Sequence, residues 1–226
     1  MSALRDALAS GSLKSEDIGI VSSWSPPEPL WRVYSQSFGA TGFNGTAKGY
    51  ARFSPLKRAD GSVVPTMYAG STLDVALMEI VLRDVPTPSV GYQLMLPERD
   101  AEQRRVTELV PTQPLRMVDF CAIGLRRIGL DRADVIDCDS SNYPDTQALG
   151  AWVHAHTVDV DVAETVHGIV WTSRQDDSGQ GAIFFGDRLL PGALEAQNDG
   201  QSLHAGHVEA ALTRLALRLG ISVVAG

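Results

Sequence analysis

VPTMYAGSTLDVALMEIVLRD (64–84) reads as a short strand, a capped turn and a largely apolar helix. The mix in VPTMYAG (64–70) suits an extended segment. Ser71 or Thr72 can then accept a hydrogen bond from an amide that the first helical turn leaves orphaned, so a helix is expected over 73–84. Within VALMEIVL (75–82), Glu79 is the single polar side chain. It is either a desolvated carboxylate poised for chemistry or half of an ordinary solvated pair with Arg83, four residues on.

Working outward, LWRVY (30–34) has strand character and runs into a Gly-rich loop, SFGATGFNGTAKG (37–49), and then YARFSP (50–55). Downstream, VGYQLML (90–96) and PLRMVDF (114–120) are further expected strands. Pro144-Asp145 opens a helix through TQALGAWVHAH (146–156). GIVWTS (168–173) and GAIFF (181–185) form an expected pair of core strands around the polar loop RQDDSGQ (174–180). Val208, Ala211, Leu212, Leu215 and Leu219 share one helical face that Gly220 stops, and ISVVA (221–225) follows as a last strand. Residues 1–20 are expected as a short helix or loose arm, with a Pro-rich entry from Ser25 to Pro29. Strands and helices mix without steady βαβ alternation, which predicts one α+β domain around a central sheet.

A chain of 226 residues with 44% hydrophobic residues can bury a sizeable core. The net charge of -8 argues against sequence-independent binding to nucleic acid, which needs a basic surface. Cys121 and Cys138 lack any zinc spacing and are read as reduced core thiols. The N-terminal stretch has no apolar signal region and no run is long enough to span a bilayer, which favours a cytoplasmic and bacterial setting. His154 and His156 are two apart and do not share a helical face, DCDSSNYPD (137–145) does not fit a calcium loop, and no metal is expected.

Four further side chains carry chemical interest. Arg32 in WRVY and Arg52 in YARF sit among aromatic neighbours, where a guanidinium fork can hold phosphate or simply lie over a ring. Tyr68 precedes the capped helix and can stack on a planar heterocycle or belong to the core. Ser173 ends a strand before a Gly-containing loop, with no nucleophile elbow around it.

The order WRVY, YARFSP, MYAGSTLDVALMEIV, GIVWTSR and GAIFF resembles the RES domain, named for its arginine, glutamate and serine. The resemblance runs by motif from about Leu30 to Phe185 and is most specific over YAGSTLDVALMEI. It implies a fold similar to diphtheria-toxin-like ADP-ribosyltransferases, with residues 1–29 as an N-terminal arm and 30–226 as the catalytic domain. It also implies a toxin of a toxin–antitoxin pair that consumes NAD+ by phosphorolysis or hydrolysis, with inorganic phosphate as a co-substrate in the first case. The implied partner is an antitoxin with an Xre-like helix-turn-helix, and the flanking segments are candidates for an oligomer interface.

Carried over residue by residue, the resemblance gives Glu79, Arg32 and Ser173 as catalytic residues. Arg52, Tyr68, Tyr34 and Asn44 become NAD+-binding residues. On that assignment Glu79 stabilises the ribose cation, Arg32 and Arg52 clamp phosphate, Tyr68 stacks on nicotinamide, and Ser173 orients the substrate. Arg32→Ala should then mainly weaken substrate capture. The alternatives are an ADP-ribosyltransferase that modifies a cellular protein and a non-catalytic nucleotide-binding module. A lone carboxylate in an apolar helix weighs against the module, because burying it without a role is costly.

Overall fold

The computed structural model describes residues 3–157 and 165–225. In chain order the elements begin with α1 (Ala3–Ser10), β1 (Ile20–Ser23), β2 (Leu30–Ser35), β3 (Leu56–Lys57), β4 (Val63–Val64), β5 (Thr66–Gly70) and α2 (Leu73–Ile80). Next come β6 (Gln93–Leu96), α3 (Glu98–Gln103), β7 (Arg104–Pro111), β8 (Leu115–Asp119), α4 (Ala122–Arg127), α5 (Arg132–Val135) and α6 (Tyr143–His156). The chain ends in β9 (Gly168–Thr172), β10 (Gln180–Phe185), β11 (Leu194–Ala196), β12 (Gln201–Ser202), α7 (Gly206–Leu219) and β13 (Ser222–Ala225).

The main sheet has the order β1-β8-β9-β10-β5-β2-β7-β11, with β12 also on β7. Only β8 and β9 run parallel; the other neighbours are antiparallel. β9 and β10 pair from Gln180↔Thr172 to Phe184↔Gly168, as the two apolar runs predict. Both are covered on both faces, which is why they read as unbroken hydrophobic stretches. Ile169, Trp171, Ile183 and Phe185 pack with Phe53 and Leu149 on one side. Val170, Ala182 and Phe184 pack with Met67 and Leu109 on the other. A third cluster joins Leu77 and Leu82 to Leu212 and Leu215 of α7. The result is the mixed α/β single domain that the element pattern predicts.

The expected N-terminal arm is instead part of this body. β1 adds to the edge of the main sheet, and Leu4 of α1 is fully buried against the α6 side of the core. Met1 and Ser2 lie outside the described residues. β7 does not stand out in the sequence, because RRVTELVP lacks a clean apolar/polar alternation, opening on two arginines and closing on Pro111; it pairs with β2 along the whole length of that strand. YARFSP is a tight turn, with Ala51 bridged to Ser54, and not a strand. No helix of the described residues is long and apolar enough to cross a membrane.

Candidate active site

The helix that decides the fold also places the carboxylate. Thr72 caps α2, its Oγ1 accepting from the Val75 N–H at 3.1 Å, while Ser71 Oγ accepts from Gln180 N–H at 2.9 Å and ties the turn to β10. Gly70 lets the first turn sit close to β5, since a Cβ there would lie 2.8 Å from the Ala76 nitrogen. α2 ends at Ile80, four residues before the expected limit. Arg83 is therefore off the helix and pairs with its neighbour Asp84 at 3.4 Å, not with Glu79.

Glu79 is held from the β9–β10 loop. Its Oε1 accepts the Ser173 hydroxyl at 2.5 Å and the Arg174 backbone N–H at 3.1 Å. Ser173 is fully buried, and its Oγ also accepts the N–H groups of Gln175 and Asp176, each at 3.1 Å. The serine thus closes the loop and fixes the carboxylate from behind; it is not presented to the cavity as a ligand contact.

Glu79 lines a cavity of about 420 Å³. Five aromatic residues line the wall: Trp31 from β2, Tyr50, Tyr68 from β5, Tyr143 from α6 and Trp171 from β9. Arg52, Arg83 and Arg174 supply positive charge, and Asp84 and Asp139 join Glu79 as carboxylates of the lining. Arg52 is buried in the turn before β3, its guanidinium over the Tyr143 ring at 5.5 Å. Side chains of α6 hold that turn: Thr146 donates to the Arg52 carbonyl, and Gln147 Nε2 donates to the Ala51 and Ser54 carbonyls at 2.9 and 3.0 Å. Tyr68 holds it from below, its hydroxyl accepting the Phe53 N–H at 3.0 Å. Burial pushes the Tyr68 phenol up to about 12, so it stays protonated across the physiological range.

Glu79, Arg52 and Tyr68 therefore meet at one cavity, with Ser173 directly behind Glu79. The other three expected residues lie elsewhere. Successive residues of a strand face opposite sides, so Trp31 and Val33 line the cavity while Arg32 and Tyr34 turn away. Arg32 is buried, donates to the Ala40 and Gly42 carbonyls at 2.6 Å each, and lies 4.9 Å from the centre of the Tyr34 ring. Burial lowers its basicity to about 10. It braces the Gly-rich loop from within. Asn44 shapes the same loop, its Oδ1 accepting the Thr46 N–H at 3.0 Å and its Nδ2 donating to the Lys48 carbonyl at 3.1 Å.

Trp31, Tyr143 and Arg174 join the site without having stood out in the sequence. The period-2 alternation of WRVY carried the signal for Trp31, because it separates Trp31 and Val33 from Arg32 and Tyr34. Nothing local marked Tyr143, which arrives from a distant helix. Among the described residues no group of His, Cys, Asp and Glu is arranged to hold a metal ion. Cys121 and Cys138 are free thiols, and burial pushes the Cys138 thiol up despite its arginine neighbours.

A family model described as the RES domain matches residues 29–206. No curated protein matches the chain. The crystal structure of the M. tuberculosis MbcT-MbcA toxin-antitoxin complex contains a similar chain, with a TM-score of 0.58 at 16% identity. The match covers 96% of this chain and 99% of the other. At that identity the likeness is one of fold, and it is the ADP-ribosyltransferase-like arrangement that the motif order implied.

Proposed function

Because the chain belongs to the RES domain family, we propose that its aromatic cavity binds NAD+ and that Glu79 promotes cleavage of the bond between nicotinamide and ribose. The observation that carries this reading is the fixed Glu79 carboxylate on the wall of a cavity with aromatic rings and three arginines. Breaking that bond develops positive charge at the anomeric carbon, and a pre-placed carboxylate stabilises it without reorganising at the moment of reaction. Ser173 and the Arg174 N–H hold the carboxylate ready, so it can accept a ribose hydroxyl or face the cation through space. Nicotinamide departs neutral, and no strong acid is needed. Aromatic walls suit its ring, and Arg52 suits phosphate oxygens. Inorganic phosphate or water would be the acceptor, giving a phosphorylase or a glycohydrolase.

The similar chain comes from a toxin–antitoxin complex, which supports reading this chain as a toxin held by an antitoxin; that the antitoxin carries an Xre-like helix-turn-helix is a further part of the proposal. Incubation with NAD+, with and without inorganic phosphate, and product identification by mass spectrometry tests the activity. Nicotinamide with phosphorylated ADP-ribose only when phosphate is present means phosphorolysis. Nicotinamide with free ADP-ribose means hydrolysis. NAD+ intact in both tubes overturns the reading.

A further inference from the structure

Two of the three cavity arginines, Arg52 and Arg174, converge on one short segment of main chain. Arg52 Nη1 donates to the Val135 carbonyl at 3.2 Å and lies 3.7 Å from Cys138 Sγ. Arg174 Nη1 donates to the Cys138 carbonyl at 2.9 Å. Carbonyls and a thiol are neutral partners. Among the described residues the only carboxylate against either guanidinium is that of Asp139, 4.0 Å from Arg174 and largely exposed itself. Arg52 is buried with no carboxylate partner among the described residues. Glu79, Asp84 and Asp139 also line the cavity, but the close bonds of both guanidiniums go to neutral groups, and phosphate oxygens form stronger, charge-assisted bonds than carbonyls do.

We propose that Arg174 is the second arm of an anion clamp with Arg52, taking phosphate oxygens in place of the Cys138 carbonyl. This rests on reading the cavity as a dinucleotide site, and it replaces Arg32 as the partner of Arg52. The arm has a second effect, because the backbone N–H of the same residue donates to Glu79. An anion held by the Arg174 side chain therefore steadies the loop that positions the carboxylate. The released Cys138 carbonyl adjoins the exposed Asp139 and can be taken up by water. The anion is either the pyrophosphate of the dinucleotide or free inorganic phosphate.

Titration calorimetry of the full chain with ADP-ribose, inorganic pyrophosphate, inorganic phosphate and nicotinamide riboside distinguishes these sources. The parent should bind the phosphate-bearing probes. Arg174→Ala should weaken them about tenfold or more, the scale of one lost charge-assisted bond. Arg174→Lys should recover part of the loss, and nicotinamide riboside, which lacks pyrophosphate, should bind both chains alike. Loss confined to ADP-ribose and pyrophosphate assigns the arm to the dinucleotide; loss confined to phosphate assigns it to the co-substrate. Equal binding of all three anions by parent and Arg174→Ala, or no anion binding by the parent, overturns the clamp. Anion binding by a parent that leaves NAD+ intact would keep the clamp and remove the activity. Arg174 is about one-third exposed, and matching circular dichroism spectra would exclude misfolding as the cause.

Discussion

Ser173 and Glu79 stand 94 residues apart in the chain and meet through a 2.5 Å hydrogen bond. The serine is fully buried while the carboxylate reaches the cavity wall. Two loop amides also donate to the serine oxygen, so the hydroxyl proton is directed at Glu79. The pair is one unit, in which buried Ser173 fixes the carboxylate and Glu79 faces the cavity.

Ser173→Ala should therefore lower kcat for NAD+ cleavage by about 10–100-fold while leaving KM within a few-fold, the pattern of a lost positioning contact. Steady-state kinetics with NAD+ checks it. A raised KM with an unchanged kcat would mean that the hydroxyl meets the substrate directly.

Glu79→Gln keeps an oxygen that can accept from Ser173 but loses the charge. Turnover should fall about 1000-fold or more, on the scale of removing a preorganised electrostatic group, with little change in Tm. Quantified nicotinamide release together with a thermal melt decides it. Parent-like turnover in the folded variant would remove Glu79 from the chemistry.

Arg32→Ala should act on stability and not on substrate capture. It strands the Ala40 and Gly42 carbonyls and vacates the space over Tyr34, costing about 2–3 kcal/mol. In a chain of this size that lowers Tm by roughly 4–12 °C. Differential scanning calorimetry and NAD+ binding below the transition separate the two effects. A parent-like Tm with weakened binding would restore Arg32 to the substrate site.

His167 supplies a pH signature. Burial, aided by the charges of Arg116 and Arg188, lowers its affinity for a proton, and its Nδ1 accepts the Arg116 backbone N–H at 3.0 Å. As pH falls through about 6.5, the unfolded chain binds a proton that the folded chain resists, so stability declines. Asp187 works in a separate, lower window. Burial opposes its ionisation, but hydrogen bonds from His154 and Arg58 hold it below the usual carboxylate range, so its contribution is lost only in stronger acid. Urea midpoints from about pH 8 to about pH 5 should fall more steeply for the parent than for His167→Asn, which accepts a bond without titrating. Identical slopes would exclude His167 as the source.

How much of this could be read beforehand followed the range of the interactions. The strand–cap–helix run at 64–84 and the pair 168–185 depend on local periodicity, and the structure places both close to where the pattern did. Glu79 stood out for the same reason, as a carboxylate in an apolar helix. Arg32 differs from Trp31 and Val33 through strand alternation, which sends neighbours to opposite faces and which residue type alone does not carry. Tyr143 and the α6 tethers on the Arg52 turn depend on contacts across about 90 residues, and no local pattern encodes them. α1 looked detachable because its few apolar residues gain meaning only against α6.

That docking makes the beginning of the chain a poor place for neutral handling. Arg5 bonds Asp145 at the start of α6, Leu4 enters the same cluster as Phe53, and α6 in turn grips the turn that carries Arg52. Trimming residues 3–10 would uncover that cluster and slacken the grip, so a shortened chain would carry an altered cavity wall far from the cut. A chain lacking the first helix would therefore present a different cavity from that of the full chain.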